Sequence, residues 1–375
     1  MAILRDNRAC GGLNLPDVPD LFTTRNCRGE ELMDESFEDK IALEIEAQLV
    51  SGRTIALESG PYRALIDRQG AAVQGLWWTP SEGATEVPLA EPYGAESPFT
   101  CGQTLIPWPN RIADARFLFQ ETPVALEMSE PALHNAIHGL ATAALWDVSE
   151  KASDGSFVTL SFRSGPALGN GWPWEFSVVV RYEVSAAGLT VAVSVKNESR
   201  QAMPWGYGAH PYITAGGAAL NACTLQASVD EWWVTDDRNL PTGEHLPIGE
   251  GVPVLRQPTS MEDVWFDTPF TVAQDTPVDV GWRELARLTG PVAEDQNVSV
   301  VMDADSGFTW LQIFTTGEKT VMFPGKDTEE GRALAVEPMT CPPNAMVTGQ
   351  DVIVLEPFAE WSGQWRVHGE VSDHL

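Results

Sequence analysis

Histidine is scarce, with six in 375 residues, and one of them closes the run Gly206-Tyr-Gly-Ala-His210-Pro-Tyr. Glycine permits unusual backbone angles and proline removes a strand donor, so such a run directs an imidazole out of a strand end or bulge. An imidazole there titrates near neutrality and suits proton transfer. The second candidate is Glu337, which follows the apolar Ala333-Leu-Ala-Val and precedes Pro-Met-Thr-Cys-Pro-Pro-Asn. A carboxylate at the end of a buried run, held by three prolines, is a candidate general base, because partial desolvation raises its pKa. Each residue taken alone also has a structural reading, as a hydrogen-bonded histidine or a glutamate that solvates a strand end.

A third segment, Pro107-Trp108-Pro-Asn110-Arg111-Ile, adds recognition chemistry. A rigid Pro-Trp-Pro turn holds the forked donor of Arg111 for an oxygen-rich ligand, and Trp108 offers a flat apolar face. Sugars combine hydroxyl edges with C–H faces, so Trp, Arg, Asn and His together fit carbohydrate better than acyl or nucleotide ligands. His134 and His138 are spaced as metal ligands would be on a helix, but Asn-Ala-Ile-His-Gly does not read as one and no third ligand follows, so no metal is expected. His134 reads as structural. The sequence has no Walker A loop, dinucleotide fingerprint, GxSxG elbow, HExxH or EF-hand loop, and no cofactor is expected.

The elements that must position these groups are strands. Phe176, Val178, Val180, Tyr182 and Val184 alternate on one face, and after Ser185-Ala-Ala-Gly so do Leu189, Val191, Val193 and Val195, which predicts a hairpin. Similar alternation recurs in Val158-Thr-Leu-Ser-Phe, Val298-Ser-Val-Val-Met, Phe308-Thr-Trp-Leu-Gln-Ile-Phe and Val352-Ile-Val-Leu. With 27 Pro and 32 Gly, long helices are hard to place, so one large antiparallel β-sandwich is expected over residues 51–370. Residues 1–50 differ: turn formers and the acidic run Glu30-Glu-Leu-Met-Asp-Glu-Ser-Phe-Glu-Asp predict a solvated extension, with one short helix over Asp39 to Gln48.

Composition narrows the partners. The 23 basic residues against 53 acidic ones give a net charge of −30, which disfavours nucleic acid and anionic membrane surfaces. No apolar run approaches the roughly 18 residues of a membrane span. The start, Met-Ala-Ile-Leu-Arg-Asp-Asn-Arg, carries no apolar signal segment, and a cytoplasmic location is expected. Five scattered cysteines without a CxxC pair predict reduced thiols rather than a disulfide framework or a zinc site.

From about Ile55 to Val367 the order of segments resembles the aldose 1-epimerase (galactose mutarotase) family: Leu105-Ile-Pro-Trp-Pro-Asn-Arg-Ile-Ala-Asp, Asn135-Ala-Ile-His-Gly, Gly171-Trp-Pro-Trp-Glu-Phe, Gly208-Ala-His-Pro-Tyr and Glu337-Pro-Met-Thr-Cys-Pro-Pro-Asn-Ala. The resemblance implies a β-supersandwich that interconverts the α and β anomers of a free aldose such as glucose or galactose. It implies Glu337 as general base and His210 as general acid, with Arg111, His138 and an Asp from a Leu-Asp-x-x-Phe-like segment on the sugar hydroxyls. Val278-Asp279-Val-Gly-Trp282 is taken as that segment, with Trp282 in place of Phe. Asn110 and Trp108 complete the expected substrate-binding set, with a monomer or homodimer as the working unit. A hexose-6-phosphate 1-epimerase would require several convergent basic side chains, and a non-catalytic sugar-binding protein would not require the Glu337 and His210 pair.

Overall fold

The computed structural model describes residues 37–293, 296–316 and 331–373; residues 1–36, with most of the acidic run and Cys10 and Cys27, lie outside them. Strand alternation in the sequence becomes two large sheets, one of twelve strands and one of nine. The predicted hairpin is there as strands Phe176–Ser185 and Gly188–Asn197, paired antiparallel with Ser185 opposite Gly188. All nine of its inward residues, from Phe176 to Val195, are buried. Gly188 has φ 108°, and a Cβ there would stand 2.3 Å from the Val367 carbonyl oxygen on the neighbouring strand Glu360–Asp373, so only glycine closes this turn.

The two sheets bury a common core. On strands Trp310–Thr315 and Leu334–Met339 of the larger sheet, Leu311, Ile313, Leu334 and Val336 join one cluster with Val180, Val193, Val300 and Met302 of the smaller. A two-residue repeat then turns the alternate side chains to the opposite face. Those are Gln312 and Glu337, directly opposite each other in register, beside Phe314, Ala335 and Tyr212 in a separate small cluster. Burying every second residue of an apolar run is thus what presents Glu337 on the other surface of the sheet.

The short helix predicted over Asp39 to Gln48 extends over Phe37–Ser51, and it belongs to the compact body, whose inner boundary falls at Phe37 and not at residue 51. Ile45 and Gln48 are buried, the Gln48 amide donates to the Gly94 carbonyl (3.1 Å), and its oxygen accepts from the Gln74 amide (2.7 Å). The Glu44 carboxylate accepts the Ala95 N–H at 2.8 Å. Truncation by Gln48→Ala leaves the Gln74 amide and the Gly94 carbonyl each one partner short. It is expected to cost about 1–3 kcal/mol, read as a lower urea midpoint with unchanged slope.

Candidate active site

Backbone hydrogen bonds fix the two candidate proton carriers before their side chains meet. The His210 N–H donates to the Gln103 carbonyl (3.0 Å), its carbonyl accepts from the Gly102 N–H (2.8 Å), and the Pro211 carbonyl accepts the Val336 N–H (3.2 Å). Tyr212 pairs with Ala335, two residues before Glu337. The result is direct contact: His210 Nε2 lies 3.3 Å from Glu337 Oε1, with the residues only 5% and 1% exposed.

Arg111 begins the short strand Arg111–Ala113, which pairs with Asn135–Ile137. The loop that follows Glu337 holds this strand, because the Asn344 N–H donates to the Arg111 carbonyl (2.7 Å) and its side-chain oxygen accepts the Ala113 N–H (3.0 Å). His138 follows Ile137 in the left-handed region, with φ 61° and its N–H donating to the Asn110 carbonyl at 2.9 Å. The next residue has to be Gly139, since a Cβ there would come within 1.9 Å of the Ile106 carbonyl oxygen. The His138 ring meets His210 edge-on, at 5.3 Å between centroids and 79° between planes. His134 lies before the strand and His138 after it, so the two do not share a helical face.

The Arg111 guanidinium is shared by two carboxylates. Its Nε lies 3.0 Å from Glu130 Oε2 and its Nη2 donates to Glu130 Oε1 (3.1 Å), while Nη1 is 3.8 Å from Asp267 Oδ2. Asp267 in turn accepts from the Gln312 amide on Oδ1 (2.7 Å) and from the Asn239 amide on Oδ2 (3.0 Å). Glu337, Gln312, Asp267, Arg111 and Glu130 therefore form one connected polar surface, with His210 and His138 over the glutamate.

Of the other expected residues, Asp279 stands apart from this group, while Trp108 and Asn110 make local contacts of their own. Asp279 is exposed in the turn it makes with Trp282, and no hydrogen bond or ion pair among the described residues links it to the His210 and Glu337 pair. The aspartate on Arg111 is Asp267, within Phe266-Asp-Thr-Pro-Phe270, which matches the Leu-Asp-x-x-Phe spacing with Phe266 for Leu. Trp108 is 2% exposed and stacks one face on Trp172 (5.7 Å, 29°), so that face is packed in the core. The Asn110 side-chain oxygen accepts the Arg111 N–H at 3.0 Å, which helps to shape the turn. Glu130, Asn239 and Gln312 carry no local motif that points to them.

Burial sets the protonation of the pair. It pushes the Glu337 carboxyl well above the usual carboxylate range, reinforced by Asp267 and opposed by Arg111. It lowers the His210 imidazole to about 4, with Arg111 adding to the effect and the residue's own backbone opposing it. His138 is held well below its ordinary value by burial, then by His210 and Arg111. The opposite directions within the pair have one meaning: a carboxylic acid beside a neutral imidazole, with one proton on the 3.3 Å contact, avoids the cost of two buried charges. Among the described residues Glu337 Oε2, Gln312 Oε1, His210 Nδ1 and His138 Nδ1 are buried with no hydrogen-bond partner, an uncommon concentration of hydrogen-bonding capacity.

A family profile described as Aldose 1-epimerase matches residues 53–368. YihR of Escherichia coli K12 is 31% identical over 312 residues, covering 82% of this chain and 90% of that protein. The fold is shared with a galactose mutarotase-like protein from Clostridium acetobutylicum (TM-score 0.69, 23% identity, 84% of this chain and 94% of that one). It is shared likewise with the galactose 1-epimerase of Lactobacillus acidophilus (TM-score 0.67, 15% identity, 84% and 94%). Matched in sequence over nearly the whole described body and in fold by these structures, the chain belongs to the aldose 1-epimerase family.

Proposed function

We propose that this protein is an aldose 1-epimerase that interconverts the α and β anomers of a free, unphosphorylated aldose, with Glu337 and His210 as the proton-transferring pair. The observation that carries the reading is their 3.3 Å contact, buried and set beside Arg111, His138, Asp267 and Gln312. A pyranose replaces that direct contact with its own oxygens. Glu337 as carboxylate takes the proton from O1–H while His210 as imidazolium delivers one to O5; the C1–O5 bond breaks and C1–O1 becomes the aldehyde carbonyl. Rotation about C1–C2 presents the other carbonyl face, and the two transfers run backwards.

Each ring opening converts the pair from ion pair to neutral pair, and each closure converts it back. The neutral form is the one the buried site favours, so the low dielectric supports the enzyme state that accompanies the open chain. Arg111, His138, Asp267 and Gln312 keep the rest of the sugar in place while its C1 end turns. Adding a second proton to the pair places it on His210 and removes the base, so kcat/KM is expected to fall on an acid limb near pH 4, from the imidazole value of about 4.

A preference for uncharged sugar is supported by charge. Arg111 is faced by Glu130 and Asp267, and Arg238, which donates to Asn135, by Asp114. A phosphate dianion at this site would meet two carboxylates along with the Arg111 guanidinium and one along with that of Arg238. Polarimetry of freshly dissolved α-glucose, α-galactose and α-glucose 6-phosphate tests this: accelerated mutarotation of a free sugar is expected. Uncatalysed rates with all free aldoses refute the reading, and faster turnover of the phosphate ester refutes the preference. Within the same assay Asp267→Asn is expected to raise KM about tenfold or more, the loss of a charge-assisted hydrogen bond, while Asp279→Asn leaves both constants unchanged.

A further inference from the structure

An acid/base histidine is ordinarily held by a hydrogen bond on its second ring nitrogen. His210 Nδ1 has no such partner among the described residues. Its ring is bounded by aromatic faces and edges instead. Tyr212 lies stacked on it at 5.2 Å and 22°, His138 meets it edge-on, and Phe314 approaches at 6.4 Å and 71°. Phe314 also stands perpendicular to Tyr212, at 6.5 Å and 87°, and backs the stack from the next strand but one.

The stack is built into the backbone. His210 and Tyr212 are separated only by Pro211, so they project to the same side, and both are pinned: Gly102 and Gln103 hold His210, while the Tyr212 carbonyl accepts the Glu91 N–H at 2.9 Å. The Tyr212 hydroxyl is buried with no hydrogen-bond partner among the described residues. A buried orphan hydroxyl contributes nothing to stability, so the part of Tyr212 that the site uses is its ring.

We propose that Tyr212 is the positioning residue for His210, the face of its ring setting the tilt of the imidazole towards Glu337 and favouring the imidazolium by cation–π attraction. The proposal rests on His210 acting as the general acid. Tyr212 acts through His210 and does not touch the sugar. Among the described residues the charged and titratable groups near the imidazole are Glu337, His138 and Arg111, and those near the Tyr212 ring are Cys101, Glu337 and Asp267. None of them replaces the ring face.

Anomer exchange by the full-length protein tests this. Tyr212→Phe keeps the stack and removes only the orphan hydroxyl, so it is expected to retain wild-type kcat and KM. Tyr212→Leu is expected to lower kcat about tenfold with KM within about twofold, and to move the acid limb of kcat/KM down by about 0.5 pH unit, because the imidazolium loses its support. Equal activity of the Phe and Leu variants overturns the proposal. Because Leu changes shape as well as electronics, a second series keeps the shape: phenylalanine, trifluorophenylalanine and pentafluorophenylalanine at position 212 progressively empty the ring face. A stepwise fall in kcat along that series supports the proposal and a flat response overturns it, whether or not the Leu variant folds. Failure of the functional reading is distinguishable, since it removes wild-type activity, whereas failure here leaves wild type active and Glu337→Gln inactive.

Discussion

Glu337→Gln is expected to abolish anomer exchange while leaving the protein folded. The substitution preserves shape and removes the group proposed to take the O1 proton, and a positioned general acid or base contributes about 10²–10⁴ in rate, so kcat should fall by about 10³. Stability should hold within about 1 kcal/mol, because an amide N–H can donate to the His210 imidazole across the same contact, and a buried carboxyl whose Oε2 has no partner among the described residues is removed. Polarimetry together with a thermal melt checks both parts. The combination matters: activity lost at constant Tm places the defect in proton transfer, and activity lost with an early melt would place it in packing. In the proposed reaction Glu337 and His210 act as one unit, so adding His210→Gln to Glu337→Gln should cost little beyond the first change.

The second large effect is expected from Arg111→Leu. Arg111 is the cation between Glu130 and Asp267, and its removal brings two carboxylates together without compensation. Deleting one partner of a buried ion pair costs about 3–5 kcal/mol, and the partial exposure of Glu130 and Asp267, 20% and 32% of their side chains, reduces this to about 2–3 kcal/mol. Asp267, whose pKa is already raised by burial with Arg111 opposing, should rise further and bind its proton more readily. The sign follows: a carboxylate whose folded pKa exceeds its unfolded one loses stability as pH rises. The variant's deficit relative to wild type should therefore be smallest in acid and grow as pH passes through the ordinary carboxylate range towards neutrality. Urea midpoints at several pH values measure it. KM for a free aldose should rise in parallel.

Much of this organisation was legible in the sequence because it is local. Alternation over Phe176 to Val195 fixes a hairpin, and a Gly-Ala-His-Pro-Tyr run or a Glu among prolines carries its departure from strand geometry with it. Asp267 was equally legible: Phe266-Asp-Thr-Pro-Phe270 keeps the aspartate-to-phenylalanine spacing, whereas the Asp279 segment keeps it only with Trp282 for Phe. Trp108 illustrates the limit of a local signal, since Pro-Trp-Pro fixes a rigid turn but not the side on which Trp172 waits for the indole. The helix Phe37–Ser51 adjoins an acidic run, and the buried contacts of Gln48 with Gln74 and Gly94 depend on residues 26 and 46 positions away. Glu130, Asn239 and Gln312 were not legible for the same reason: each matters because of a partner brought by sheet topology, and no neighbour in the chain announces it.

The proposed reaction requires one geometry, in which a monosaccharide sits with its anomeric centre between the side chains of residues 210 and 337. A crystal structure of the Glu337→Gln variant soaked with a free aldose tests it most directly. Ring O5 is expected within about 3.2 Å of His210 Nε2, and anomeric O1 within the same reach of the side chain at position 337. A sugar bound with its anomeric carbon turned away from both, or held at another face of the sandwich, would contradict it.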